Sequence, residues 1–96
     1  YEIHEAFAAQ VLCTLKAWED GPYCKSRLGL DAALGAIDRS KLNVKGSSLA
    51  VGHPFAATGG RIVTNMSKLL ATAGQGRGLI SICAAGGQGV TAIIER

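Results

Sequence analysis

Apolar positions along the chain recur with three different spacings, and each spacing predicts an element. Between Glu5 and Trp18 they fall at Phe7, Val11, Leu15 and Trp18, with Ala8 and Leu12 alongside, the stripe of an amphipathic helix. Asp20-Gly21-Pro22 closes that helix, because Gly accepts a left-handed cap and Pro cannot continue the ladder. A second helical stripe runs from about residue 57 through Ile62, Val63, Met66, Leu69, Leu70 and Ala73, and Gly74 stops it. Gly78 to Ala84 is a nearly continuous apolar run, as in a strand buried on both faces. Gly86 and Gly87 turn the chain, and the β-branched run from Gly89 to Glu95 is close enough to pair antiparallel with it.

The remaining stretches are less patterned. Residues 23 to 42 read as a loop or a short helix: Asp31 can cap one through Ala32, Ala33, Leu34 and Ile37, although Gly35 weakens it by about 1 kcal/mol relative to Ala. Asn43 to Val51 alternates roughly and predicts a short strand at residues 47 to 51. The expected order is helix, strand, helix, strand, strand. This is an α/β class in which residues 47 to 84 form one right-handed strand-helix-strand unit, and the last strand makes the sheet mixed. So few strands leave an open edge, which predicts a larger sheet to complete them. Tyr1 in place of an initiator Met also predicts a segment of a longer chain.

Composition narrows the function classes. Ten Lys and Arg against seven Asp and Glu give a net charge of +3, but they are scattered, and one Trp, two Tyr and two Phe supply few stacking surfaces. Nucleic-acid binding is disfavoured, since it wants a clustered basic stripe with aromatics. Cys13, Cys24 and Cys83 lack the close Cys or His pairs of a zinc site, so no metal is expected, and their odd number and wide spacing argue against a disulfide framework. A reducing compartment fits, the cytoplasm of a bacterium or the matrix of a mitochondrion. No apolar run approaches the roughly 20 residues of a membrane span. Thirteen glycines cluster around residues 46 to 60 and 74 to 89, as loops lining a site would.

Two of those clusters carry reactive side chains. His53 lies between Gly52 and Pro54, just ahead of the second helix, whose first-turn N–H groups and partial positive field suit an anionic intermediate. Cys83 stands at the carboxyl end of a strand, where open α/β sheets place their sites. Position alone leaves two readings of it equally open, a small buried hydrophobe and a reactive thiol. A thiolate needs a cationic or dipolar neighbour, and His53 is the candidate. His4 can point into the same cleft or organise the first helix start, where Glu5 favours the helix dipole. Gly86, Gly87 and Gly89 are followed by a strand, not a helix, which disfavours a dinucleotide-binding loop.

His4-Glu5-Ala6-Phe7-Ala8, the Gly46 to Gly59 stretch around Gly52-His53-Pro54, and Cys83-Ala84-Ala85-Gly86-Gly87 resemble, in order and spacing, three successive motifs of the thiolases. The wording, with His4 where Asn is commoner, is similar to the thiolase subunits of fatty-acid oxidation complexes. The resemblance implies thiolysis of a 3-ketoacyl-CoA by coenzyme A, or the reverse Claisen condensation, with coenzyme A and acyl-CoA as substrates and no covalently bound cofactor. It implies that His53 activates a nucleophilic cysteine and helps bind a thioester oxygen, that Cys83 moves the proton at the substrate α-carbon, and that His4 and Gly86 position substrate or its oxyanion. Ala85 stands where many thiolases have Gly.

Nothing around Cys13 or Cys24 resembles the motif of the acylated cysteine, which in this family lies in a first domain. The resemblance therefore implies that residues 1 to 96 are part of a thiolase C-terminal domain, inactive alone, whose partners are the missing first domain, further copies of the chain and another β-oxidation subunit. Two other readings remain, a noncatalytic assembly domain with a thiolase-like core and a biosynthetic acetoacetyl-CoA thiolase.

Overall fold

The computed structural model describes residues 1–96. The chain runs β1 (Glu2–Ile3), α1 (Ala8–Glu19), α2 (Gly21–Leu28), a 3-10 turn (Arg39–Lys41), α3 (Ser48–Val51), α4 (Thr58–Ala73), β2 (Arg77–Ala84) and β3 (Gln88–Glu95). The sheet order is β1-β2-β3, with β1 parallel to β2 and β2 antiparallel to β3. The α/β class and the mixed sheet with an antiparallel last strand are as expected from the sequence.

Each sheet face carries one helix. Ile62, Met66 and Leu70 recur every four residues along α4 and pack with Ile80, joined by the half-buried Ile82 and Ile94. Val11 and Leu15 of α1 pack with Ile3, flanked by Trp18, Ile37 and Leu42. In the pairing register Glu2 lies beside Ile80 and Ile3 beside Ser81. Because alternate strand residues point to opposite faces, Ile80 and Glu2 face α4 and Ile3 faces α1. Each fully buried aliphatic side chain stabilises the fold by about 1.5–3 kcal/mol relative to exposure. Gly78 lets α4 approach the sheet, since a Cβ there would lie 2.0 Å from Met66 Sδ.

Residues 47 to 51 form a single helical turn and not the expected strand. Their alternation does not mark a buried face: Leu49 and Val51 are exposed, while Ser47 and Ser48 are buried. The parallel neighbour of β2 is instead β1, a two-residue strand too short to show any period. Asn43 completes its free edge. The Ile3 N–H donates to Asn43 Oδ1 at 2.8 Å, and Asn43 Nδ2 donates to the Ile3 carbonyl at 3.0 Å, as a neighbouring strand would. Asn43 also takes a left-handed backbone (φ 50), which Asn tolerates better than most residues.

Two local expectations also change. Gly21 does not cap α1 in a left-handed conformation; Asp20 ends α1 and caps α2, accepting from the Tyr23 N–H at 2.8 Å, with Pro22 in the first turn. Of the loop and the short helix that the sequence leaves open for residues 23 to 42, the structure takes a loop after Asp31 and a helix earlier, at α2, and Asp38 caps the 3-10 turn.

Two substitutions test this packing by the urea unfolding midpoint. Gly78→Ala is expected to destabilise by about 1–3 kcal/mol through overpacking against Met66, and an unchanged midpoint would show that α4 has slack there. Asn43→Ala is expected to cost about 1–3 kcal/mol by leaving the Ile3 N–H unpaired, and a neutral result would show that β1 does not depend on this edge.

Candidate active site

β1 and β2 are parallel, so their carboxyl ends lie together, and the sequence-predicted residues gather there by different routes. His4 follows directly on β1, and its backbone N–H donates to the Ser81 carbonyl at 2.9 Å, continuing the parallel ladder by one bond. Ile3 faces α1, so the His4 ring turns to the α4 side, where it is almost fully buried at 2 % exposure.

His53 arrives on the loop between α3 and α4. Gly52 ends α3 with φ 88, and Pro54 starts a turn closed by the Ala57 N–H donating to the Pro54 carbonyl at 3.1 Å. Ala56 holds φ 66 in this turn, a left-handed conformation that strains a residue with a Cβ. Thr58, the first residue of α4, places its Oγ1 2.6 Å from His53 Nδ1. The N-cap of α4 has no side-chain partner, so the first turn directs unpaired N–H groups and a positive field toward this loop.

The two imidazoles meet, with ring centroids 4.3 Å apart and planes tilted by 44°. Phe55 stands edge-on to His53 at 5.2 Å and is itself 88 % exposed. Cys83 is half-buried, one residue from the end of β2 and paired with Gly89. It shares the carboxyl end of the sheet with the imidazoles, but the pleat puts it on the face of Ser81 and not on that of Ile82 and α4. No hydrogen bond joins it to either histidine, so any shared cleft runs over the strand ends. Gly86 (φ 78) and Gly87 (φ 75) form the hairpin turn after it, a backbone that favours glycine. Cys24 is buried, with its thiol donating to the Ala17 carbonyl at 3.3 Å, and Cys13 is exposed; both lie away from this end.

The structure adds residues that the sequence reading missed. Ser48 Oγ lies 2.8 Å from His4 Nδ1 and accepts from Arg61 Nη2 at 3.1 Å. Glu5 is not a dipole partner of α1. Its carboxylate accepts from Asn43 Nδ2 at 3.0 Å and from the Leu49 N–H at 3.2 Å, so it caps α3. That cap is needed because the Ser47 hydroxyl is used elsewhere, donating to the Ile3 carbonyl at 3.0 Å. Glu2 is fully buried and neither carboxylate oxygen has a hydrogen-bond partner; Arg61 Nε and Nη1 are equally bare. No group of three or more His, Cys, Asp or Glu side chains is arranged to hold a metal ion, and no helix is long and apolar enough to cross a membrane.

These surroundings set the charges. Burial holds the His4 imidazole below its ordinary value, with help from the neighbouring His53 and the Arg61 guanidinium and opposition from Glu5. Burial raises the Glu2 carboxyl, opposed by Arg61. A depressed histidine contributes stability that is present above the unfolded value of 6.5 and is lost as the pH falls through the lower folded value, because the unfolded chain takes up the proton first. Glu2 has the opposite sign: its contribution is complete below 4.5 and is lost as the pH rises through its raised folded value. His4→Asn is therefore expected to flatten the loss of stability just below pH 6.5. Urea midpoints across pH check this, and an unchanged slope would remove His4 as its source.

Comparison with known proteins converges on one family. The family model described as "Thiolase, C-terminal domain" matches residues 1–96. A 3-ketoacyl-CoA thiolase of Alteromonas mediterranea is 52 % identical over 94 residues, covering 98 % of this chain and 22 % of that protein. One from Pectobacterium atrosepticum is 49 % identical over the same length and coverage. Among solved structures, the acetyl-CoA acetyltransferase of Syntrophomonas wolfei superposes with a TM-score of 0.73 at 36 % identity, covering 99 % of this chain and 21 % of that one. The acetyl-CoA acetyltransferase of Bacillus anthracis gives 0.68 at 38 % identity, covering 98 % and 20 %. The chain thus spans about a fifth of the length of these relatives. From the matched motifs at one end of the sheet to the family match along all 96 residues, the chain belongs to the thiolase family, as a C-terminal domain sequence.

Proposed function

We propose that this chain supplies the acid–base and oxyanion-binding groups of a thiolase that cleaves 3-ketoacyl-CoA with coenzyme A, or runs the reverse condensation. The observation that carries this reading is the meeting of His4 and His53, 4.3 Å apart, where β1 and β2 end and α4 begins.

In this mechanism a cysteine of a first domain attacks the 3-keto carbon. His53 takes the proton of that thiol. Its Nε2 is free to do so when Nδ1–H donates to Thr58 Oγ1, and Thr58 in turn has an acceptor for its own proton in the Pro54 carbonyl, 3.4 Å away. The bond between C2 and C3 breaks, the acyl group stays on the cysteine as a thioester, and the departing acetyl-CoA enolate takes a proton at its α-carbon from the Cys83 thiol. The coenzyme A thiol then gives its proton to the Cys83 thiolate and attacks the thioester carbonyl; the acyl group passes to coenzyme A, and the first-domain cysteine leaves and recovers its proton from His53. Enolate and tetrahedral oxyanions need donors already in place, and this is the role of His4, with the Gly86 turn shaping the approach of substrate. Free coenzyme A enters as the acyl acceptor and the substrate's own coenzyme A leaves as acetyl-CoA, so no covalent cofactor is required.

Leu49, Val51 and Phe55, which flank His53 in sequence, are exposed. A first domain carrying the nucleophilic cysteine would cover them and exclude water from the site, which is why the 96-residue chain is assigned no turnover of its own. The same reading places the protein in the bacterial cytoplasm and in an oligomer of like subunits, in company with another β-oxidation enzyme. The 3-ketoacyl-CoA thiolase names of the bacterial relatives favour the degradative direction.

The test is thiolysis by the full-length protein, with short and long 3-ketoacyl-CoA substrates. His53→Ala and Cys83→Ser are each expected to lower kcat by about 10²–10⁴-fold, the usual size of a general acid–base contribution. Wild-type rates in either variant would overturn the assigned roles. Turnover by the 96-residue chain alone would overturn the need for a first domain, and a full-length protein without thiolysis would leave assembly as its function.

A further inference from the structure

We propose that Ser48 and Arg61 are positioning residues that lock His4 in its neutral Nε2–H tautomer, so that His4 meets the substrate as a hydrogen-bond donor. This rests on the oxyanion role proposed above for His4 and specifies how an imidazole fills it.

The direction of each hydrogen bond follows from what each group can do. A guanidinium has only donors, so the 3.1 Å contact between Arg61 Nη2 and Ser48 Oγ runs from Arg61 to Ser48. That bond occupies a lone pair of the hydroxyl and leaves its single proton to place. His4 Nδ1, at 2.8 Å, is the only other hydrogen-bond partner of Ser48 Oγ. If Ser48 donates to Nδ1, every polar atom of the contact is satisfied and the ring proton resides on Nε2. In the opposite arrangement Nδ1–H donates to Ser48, and the hydroxyl proton of a buried serine has no acceptor, which a buried polar group avoids. A doubly protonated ring meets the same objection and adds a charge beside the Arg61 guanidinium. The charged and titratable groups facing His4 are Arg61, His53 and Glu5, and the first two both disfavour the imidazolium.

Nε2 has no partner within the chain and is not among the buried bare atoms, so its N–H is open to a ligand. Arg61 strengthens the arrangement, because a hydroxyl that accepts from a cation is polarised into a better donor. Nothing else uses Arg61. Its Nε and Nη1 are buried and unpartnered, and its charge is balanced by the bare carboxylate of Glu2 and not by a hydrogen-bonded ion pair. The first turn of α4 therefore governs both imidazoles: Thr58 bonds His53 directly, and Arg61, three residues on, reaches His4 through Ser48. The two rings take opposite tautomers, Nε2 bare on His53 as a base and Nε2–H on His4 as a donor.

The experiment is ring ¹⁵N NMR of the full-length protein labelled with ¹⁵N-histidine, without substrate, with His4 assigned by the signals lost in His4→Asn. The expected wild-type pattern is a bare Nδ1 and a protonated Nε2. Ser48→Ala is expected to move the proton toward Nδ1 and to lower kcat for thiolysis by about tenfold or more with little change in KM, the mark of a donor used in the transition state. Ser48→Thr, which keeps the hydroxyl, is expected to restore both. Because removing Arg61 alone strands the Glu2 carboxylate, its arm uses Arg61→Met with Glu2→Gln, with the same tautomer shift expected.

A wild-type His4 carrying its proton on Nδ1, or a Ser48→Ala protein with an unchanged tautomer, would overturn the proposal. An unchanged kcat in Ser48→Ala, despite the tautomer shift, would overturn the donor role. Since the tautomer is read without substrate, a full-length protein that shows the expected pattern but no thiolysis would support the lock and overturn the thiolase mechanism.

Discussion

The structure depends on how a two-residue strand is held. β1 pairs with β2 through Glu2 and Ile3 alone, and its other edge would be left with unpaired backbone groups beside a buried core. Asn43 fills that edge with one side-chain amide, accepting from and donating to the same residue, Ile3. The Ser47 hydroxyl adds a second bond to the Ile3 carbonyl. Residues 43 to 47 are thereby tied to β1 although about forty residues of chain lie between. Once they are tied, α3 and the loop after it have little choice but to pass over the carboxyl end of β1, and that path carries His53 to His4.

The same economy of groups explains why several polar residues have unusual partners. Ser47 precedes a helix and would ordinarily cap it. Its hydroxyl instead completes β1, so the cap of α3 falls to Glu5, whose carboxylate also steadies Asn43. Glu5 thus joins the segment that places His4 to the segment that leads to His53. Ser48, one residue on, is turned inward, where its hydroxyl meets both His4 and Arg61. Three successive polar contacts, at Asn43, Ser47 and Ser48, convert a structural anchor into a site.

Where the sequence could be read, the signal was local and repeated. The four-residue spacing of Ile62, Met66 and Leu70 is visible over three turns of α4, and Gly74 stops it with a left-handed φ of 81, as the sequence implied. The β2–β3 hairpin was legible for the same reason, with a turn set by Gly86 and Gly87 between two β-rich runs. Residues 47 to 51 alternate without forming a buried apolar face: the buried positions are the polar Ser47 and Ser48, and the apolar Leu49 and Val51 point outward. β1 could not be seen at all, since two residues have no period. Of the site, His4, His53 and Cys83 stood out by residue type and neighbouring glycines. Ser48, Arg61 and Glu2 did not, because nothing local marks a residue whose partner lies 44 or 13 positions away, or a carboxylate buried by distant elements.

Glu2 and Arg61 show what that hidden layer costs and what it supplies. A buried carboxylate without hydrogen bonds is unfavourable, and so is a buried guanidinium with two bare nitrogens. Each is tolerated because the other's field is near, and Arg61 reaches His4 through Ser48. Arg61 keeps one donor on Ser48 and a positive charge beside His4, which adds to burial in disfavouring the imidazolium. An imidazole can replace an amide as an oxyanion donor only if its protonation and tautomer are fixed. In the proposed arrangement the fixing is done by burial and by charges that are themselves incompletely paired, so the unfavourable contacts lie in the layer that serves the site and not in the packed helices that support it.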